Sequence, residues 1–386
     1  MNVRRIIMKY RSFRDKGIDV SLLGLGCMRF PRLEGSGLID YNKSEEIVDH
    51  AYANGINYFD TAYVYNNGDS ERVIGKALSK YPRDSFMLAS KMPGHKCSCE
   101  QDVYDIFNEQ LERCGVEYFD FYLCHNINGA TYDQFVNDYM LKALDNIKAE
   151  GKIRFLGFSS HGTPDLLEKF ANLRYWDFAQ IQFNYLDTVY QDANKQYEIL
   201  NKLGIPVIVM EPVRGGRLAA LSPEIDGWFK DAAPDKSVAS WALRWAASPD
   251  GILAVLSGMT TMDQLKDNIA TINDFTPITD AEQELLDKAA SELLSKTLVP
   301  CTECRYCIED CPMGIDIPAM ISVYNDFSLS SSPFDLMPAR RQPEGKRPSD
   351  CVACNTCTPH CPQSIDIPDI LEKLSEILDR IPFPGG

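Results

Sequence analysis

Apolar residues gather along this chain in short, almost unbroken runs separated by longer amphipathic stretches. Eight runs fall between residues 20 and 258: VSLLGLG (20–26), INYFDT (56–61), FMLASK (86–91), FDFYLCH (119–125), IRFLGFSS (153–160), FAQIQFNY (178–185), IPVIVME (205–211) and GILAVLSG (251–258). Most are near-continuously apolar, the pattern of strands covered on both faces of a parallel sheet. Between them lie segments of helical character, such as YNKSEEIVDHAYANG, with a Ser to start it and a Gly to stop it. Eight strand–helix units predict a (β/α)8 barrel of the TIM type. An open doubly wound sheet usually turns on glycines into a helix after its first strand, whereas here GLGCMRFP leads into Arg and Pro. Residues 8–19 are predicted as a small hairpin ahead of the barrel. A helix over 279–295 closes it, so the expected barrel domain is 1–295.

The remaining residues, 296–386, have another character. CTECRYCIEDCP (301–312) is echoed fifty positions later by CVACNTCTPHCP. Each block is Cys-x2-Cys-x2-Cys-x3-Cys-Pro, the spacing of two-cluster iron–sulfur modules. Paired zinc hooks lack the third Cys two residues on, so two [4Fe–4S] clusters are expected over zinc. The fourth Cys of each run ligates the other cluster in such modules. That gives Cys301, Cys304, Cys307 and Cys361 for one cluster, and Cys351, Cys354, Cys357 and Cys311 for the second. Ile315-Asp316-Ile317-Pro318 recurs as Ile365-Asp366-Ile367-Pro368, so each block is a cluster loop running into a helix that Pro begins. Residues 328–350 are expected to loop between the blocks. With a long, partly helical separator and a terminal helical run, the module resembles the small, mainly helical ferredoxin-like domains of respiratory-type subunits.

Composition narrows the class further. The chain has 386 residues and a net charge of −16, which argues against a nucleic-acid partner. No run approaches the ~18 apolar residues of a membrane span, and MNVRRIIMKY lacks the apolar centre of a secretory signal. A soluble cytoplasmic protein without a membrane partner is expected. Of thirteen cysteines, eight lie between Cys301 and Cys361; a secreted disulfide scaffold would be short and Cys-dense throughout.

Function in such a barrel sits at the C-terminal ends of the strands. Asp60 ends the second run, Tyr65 follows it, Lys91 ends the third and His125 ends the fourth. Singly, each has a bland structural explanation; together they put ionisable groups at three neighbouring rim positions. NYFDTAYVYNNGDSERVIGKAL, with LASK and YLCHN after it, resembles the signature of the aldo-keto reductases. LGLGCM, GFSS, QFNY and PVRGGRL stand in family order, so the resemblance covers residues 18–275. It implies an oxidoreductase that reduces a carbonyl, or oxidises an alcohol, with NAD(P)H. Asp60, Tyr65, Lys91 and His125 are then the catalytic tetrad. Tyr65 is the implied proton donor, its pKa of ~10 lowered by the Lys91 ammonium. Asp60 holds Lys91, and His125 orients the carbonyl.

The resemblance also implies a cofactor site, with departures. Ser159, Ser160 and Gln182 stand where a Ser-Asn pair and a Gln hold the nicotinamide carboxamide, so Asn has become Ser. Met210 replaces a stacking Tyr. Val213, Gly215 and Gly216 form the pyrophosphate loop. Gly258 and Gln264 stand where NADP-specific members carry Lys and Arg, while Asn268 matches; strong NADPH preference is not expected, although Arg214 and Arg217 are near enough in sequence to compensate. His161 adds a rim residue with a substrate-contact reading beside a plain loop reading. Hydride carries two electrons and each cluster one, which leaves three readings open. In the first, a small-molecule carbonyl or alcohol is the substrate and the clusters serve a redox protein partner or cap the pocket. In the second, a flavin couples the barrel to the clusters. In the third, the protein is a non-catalytic electron carrier.

Overall fold

The structure, a computed structural model, describes residues 8–13, 17–36, 38–129, 131–190, 192–295, 299, 301, 306–309, 311–330, 333–361 and 365–381. Among the described residues, ten strands are arranged in two sheets: β1 (Tyr10–Ser12), β2 (Asp19–Ser21), β3 (Leu23–Gly26), β4 (Tyr58–Asp60), β5 (Met87–Met92), β6 (Phe119–Ile127), β7 (Ile153–Ser160), β8 (Phe178–Gln182), β9 (Val207–Met210) and β10 (Ile252–Ser257). Strands β3 to β10 close in sequence order into a barrel, β10 pairing back onto β3, and every pair in it is parallel. All eight expected strands are present. The first expected run splits in two: Asp19–Ser21 pairs antiparallel with β1 as the expected hairpin, and the barrel strand starts at Leu23.

The hairpin also seals one end of the barrel. Phe13 and Val20, both fully buried, pack with Tyr58, Phe121, Phe155, Phe178 and Ile208 from the strand interiors. The Phe13 ring meets Phe155 edge on, with centroids 4.7 Å apart. Burying an aromatic side chain of this kind contributes about 1.5–3 kcal/mol, so closure needs no ligand. Gly157 has a packing reason: a Cβ there would lie 2.5 Å from the Phe178 carbonyl on the neighbouring strand.

Contacts divide the chain into two units, Met1–Ala219 with Asp226–Glu284, and Ala220–Ile225 with Leu285–Gly386. The second unit has its own core, built on Ile315, Ile317, Ile321, Ile365, Ile367 and Leu374. Its repeat is thereby explained. Both isoleucines of each Ile-Asp-Ile-Pro are buried, and Asp316 and Asp366 accept bonds from the backbone N–H of Ala319 and Asp369, both at 3.4 Å. These are the starts of the helices Ile317–Ser330 and Ile367–Arg380, each with Pro in its first turn. The expected loop over 328–350 is partly helical: Pro333–Leu336 forms a 3-10 turn, Met337–Arg340 a helix turn and Pro348–Asp350 another 3-10 turn. Among the described residues, no helix is long and apolar enough to cross a membrane.

Candidate functional site

The C-terminal ends of the barrel strands open on a cavity of about 650 Å³. Asp60 closes β4 and Lys91 stands one residue before the end of the adjacent β5. Lys91 Nζ donates to Asp60 Oδ1 at 2.5 Å and to the Thr61 carbonyl at 2.7 Å. Both side chains are buried. The Tyr65 ring centroid lies 4.7 Å from the same Nζ. His125, near the end of β6, meets the Tyr65 ring edge on at 5.8 Å between centroids. Asp60, Tyr65 and His125 line the cavity, with Lys91 directly behind them.

Local sequence explains how Tyr65 arrives there. Asn66, Asn67 and Gly68 adopt φ values of 51°, 57° and 87° in succession, a left-handed turn that only Asn, Asp and Gly take readily. It drops the chain from β4 into the helix Asp69–Leu78 and leaves Tyr65 facing the cavity. Lys91 is anchored from the other side of its strand. Buried Glu71 accepts from Ser90 Oγ at 2.6 Å, from Gln110 Nε2 at 2.7 Å and from Arg113 Nη1 at 3.2 Å. Gln110 Nε2 also reaches the Lys91 carbonyl at 3.2 Å. No sequence signal marked Glu71 or Gln110, because buried polar partners on neighbouring helices look like ordinary helix polar positions.

Burial dominates the electrostatics. It pushes the Asp60 carboxyl above the usual carboxylate range, with Lys91 pulling it back. Burial likewise opposes the Lys91 charge, but Asp60 and Tyr65 outweigh it and hold the proton more firmly than usual. Tyr65 departs from expectation. Loss of solvent lifts its phenol above the ordinary value, and the neighbouring ammonium offsets that only in part. The His125 imidazole is held down to about 3, first by burial and then by Lys91, His161 and His95. It is therefore neutral near pH 7.

In the second unit, one small apolar cavity is lined by Cys351, Cys354 and Cys357 together with Cys311 from the first block. Ala353 and Asn355 take φ values of 48° and 59°, a backbone that L-residues adopt only when something holds it. That loop carries its three cysteines along the wall of one cavity, and the donor set of four thiols suits an iron–sulfur cluster. Of the other expected set, Cys301, Cys307 and Cys361 belong to the same core, and Cys304 lies outside the described residues. Among the described residues no three His, Cys, Asp or Glu side chains converge as a single metal ion requires; cysteines of a four-iron cluster need no such convergence, since each meets a different iron.

Residues 22–291 match the model of the Aldo/keto reductase family. The chain belongs to that family. Residues 300–365 match the 4Fe-4S dicluster domain, so an aldo/keto reductase barrel precedes a ferredoxin-type domain. L-galactose dehydrogenase of Arabidopsis thaliana is 26% identical over 74% of this chain and 94% of its own length. The NADH-specific methylglyoxal reductase of Escherichia coli is 24% identical over 72% and 96%. Among solved structures, the holo form of aldo-keto reductase AKR11C1 from Bacillus halodurans aligns with a TM-score of 0.61 at 27% identity, covering 73% of this chain and 96% of that one.

Within this aldo/keto reductase barrel the expected cofactor residues separate into two groups. Val213, Gly215, Gly216, Gly258, Gln264 and Asn268 line the cavity, as does Met210. Gly215 and Gly216 take φ values of 67° and 98°, which favour glycine. The Gly216 N–H is engaged within the turn, bonded to the Val213 carbonyl at 3.0 Å. Gln264 caps its own helix, Met262–Asn273, accepting from the Thr260 N–H at 2.9 Å.

Ser159, Ser160 and Gln182 are not among the cavity-lining residues. Ser159 Oγ accepts from the Asn126 N–H at 2.8 Å, Ser160 Oγ donates to the Ile127 carbonyl at 3.2 Å, and Gln182 Nε2 donates to Asp187 at 2.7 Å. Gln180 stands two residues before Gln182 on the same strand. It lines the cavity, is only 1% exposed, and its Oε1 has no hydrogen-bond partner among the described residues. Sheet register sets it level with Ser159 on β7. A buried amide oxygen without a donor costs roughly 1–3 kcal/mol, and a ligand amide N–H would remove that cost. The two glutamines alternate with one residue between them, so period-2 reasoning alone could not choose between them.

Proposed function

We propose that this protein reduces a small-molecule carbonyl compound, or oxidises the matching alcohol, at the Asp60–Lys91–Tyr65–His125 cluster. The observation that carries the reading is a phenol, a buried ammonium and a neutral imidazole gathered at a cavity of about 650 Å³. A nicotinamide cofactor supplies the hydride when bound. Gln180, Asn268 and the Val213–Gly216 turn are the residues proposed to hold it, and Met210 would face the ring. Gly258 and Gln264 offer no cation to a 2′-phosphate, which supports NADH over NADPH.

The chain's own part is proton management. Tyr65 keeps its proton throughout the neutral range and donates it to the carbonyl oxygen as negative charge grows there. Lys91 then stabilises the phenolate left behind, an interaction stronger in the transition state than before it. Asp60 fixes Lys91 and balances its charge. His125, neutral, donates a hydrogen bond that orients the carbonyl. Acid–base groups of this kind contribute about 10²–10⁴-fold in rate.

The C-terminal domain is proposed to hold two [4Fe–4S] clusters and to exchange single electrons with a redox partner. Cys311, Cys351, Cys354 and Cys357 hold one; Cys301, Cys304, Cys307 and Cys361 hold the other. Tyr65→Phe tests the barrel assignment. Anaerobic NADH oxidation with an aldehyde should fall at least a hundredfold, while the broad cluster absorbance near ~400 nm stays unchanged. Turnover equal to the parent removes Tyr65 as the proton donor.

A further inference from the structure

The two cysteine blocks share their spacing at an offset of fifty residues, but not the residue that follows the third Cys. In the first block that residue is Ile308; in the second it is Thr358. Burial does not separate the cysteines beside them, since Cys307 is 7% exposed and Cys357 6%. Their neighbours do. Ile308 packs an apolar side chain against the core of its domain. Thr358 opens the 3-10 turn Thr358–His360, and its hydroxyl is shielded from solvent. That Oγ1 makes no hydrogen bond among the described residues, although it lies near enough to the Cys357 thiol to act on it as a donor. A buried hydroxyl left without a partner is costly, and a neutral thiol is a weak acceptor. The sulfur that binds iron is a thiolate, which has no proton of its own and accepts a charge-assisted bond. The orphaned hydroxyl fits a loaded cluster.

We propose that Thr358 Oγ1 donates to the Cys357 thiolate and raises the reduction potential of the cluster held by Cys311, Cys351, Cys354 and Cys357 above that of the other. One added electron makes a cluster and its thiolates more negative, so a donor at a ligand sulfur favours the reduced state. Cys354, a ligand of the same cluster, is exposed, and solvent favours the more highly charged state as well. An electron delivered by a one-electron redox partner therefore comes to rest at the second block. It leaves the cluster of Cys301, Cys304, Cys307 and Cys361 and reduces this one; the hydroxyl keeps its proton and no bond is broken. This inference rests on the two-cluster reading above.

The test is an anaerobic redox titration of the full chain with dithionite, each cluster followed by its EPR signal. Cys311→Ser identifies the signal of the second block by removing it. In the parent that signal should have the higher midpoint potential. Thr358→Val keeps the shape of the side chain without its hydroxyl. At a fixed potential it should shift the oxidised-to-reduced ratio of that cluster at least threefold toward oxidised, about 28 mV for one electron, with the other signal unmoved. Thr358→Ser, which keeps the hydroxyl, should stay within threefold of the parent. A smaller shift in Thr358→Val, an equal shift in Thr358→Ser or in the other cluster, or a lower parent potential for this cluster overturns the proposal. Loss of iron from Thr358→Val overturns it too, by making the hydroxyl a condition of loading rather than a tuner. Iron content separates this failure from failure of the cluster reading. About eight iron atoms per chain, with potentials indifferent to Thr358, overturns the inference alone. A parent without iron or without reducible clusters overturns the cluster reading itself.

Discussion

His125 and Tyr65 show how one desolvated site can set two protonation states at once. Loss of water raises a phenol and lowers an imidazole, because in each case it is the charged form that suffers. Both shifts leave a neutral group at pH 7: a phenol able to give a proton and an imidazole able to donate a hydrogen bond. The His125 shift has a consequence for stability. Its folded pKa of about 3 lies below the ordinary 6.5, so across that window the unfolded chain takes up a proton that the folded chain refuses. Stability therefore rises with pH from about 3 to 6.5 and is lost on acidification. The expected outcome is a Tm that falls between pH 7 and pH 5, with a smaller fall in His125→Gln, measured by scanning calorimetry in matched buffers. Identical slopes for the two proteins would assign the acid sensitivity to other groups, of which His161, also lowered by burial, is the nearest.

Among the elements, the barrel strands were the most legible because covering both faces forces a continuous apolar run. Expected 153–160 coincides with β7, and the other runs overlap their strands with ends shifted by at most three residues. Asp60, Lys91 and His125 were legible as ionisable residues interrupting such runs at their ends. Gln180 was not: it sits inside a run, and only three-dimensional register shows that it faces the cavity rather than Gln182. The Tyr65 phenol was misjudged for a related reason. Sequence shows the neighbouring cation, but burial is a property of the assembled barrel. The two cysteine blocks pose the opposite situation, since their spacing was unmistakable and the exchange of a ligand between them is a tertiary matter. Cys311 shares its cavity with the second block. Cys311→Ser is accordingly expected to deplete the cluster of Cys351, Cys354 and Cys357, reducing iron from about eight atoms per chain toward about four. Mössbauer or EPR spectra should show the surviving cluster with parent parameters. Loss of the cluster held by Cys301 and Cys307 instead would reverse the assignment.

At the scale of the whole molecule, an aldo/keto reductase barrel is joined to a 4Fe-4S dicluster domain, so the proposed function sets two-electron hydride chemistry beside one-electron clusters. No residue of the proposed tetrad converts one into the other; Asp60, Lys91, Tyr65 and His125 move or hold protons only. On this view the hydride passes between cofactor and substrate inside the barrel, and the clusters stand outside that step. A flavin relay would behave otherwise, because a reduced flavin exchanges the transferred hydrogen with water. The decisive measurement is therefore the fate of deuterium from C4-labelled NADH in an anaerobic reaction with an aldehyde, read by mass spectrometry of the alcohol. Deuterium on the carbinol carbon, one atom per turnover and without bleaching of the clusters, is the expected result. Deuterium released to solvent, or clusters that bleach in step with NADH oxidation, would contradict direct hydride transfer.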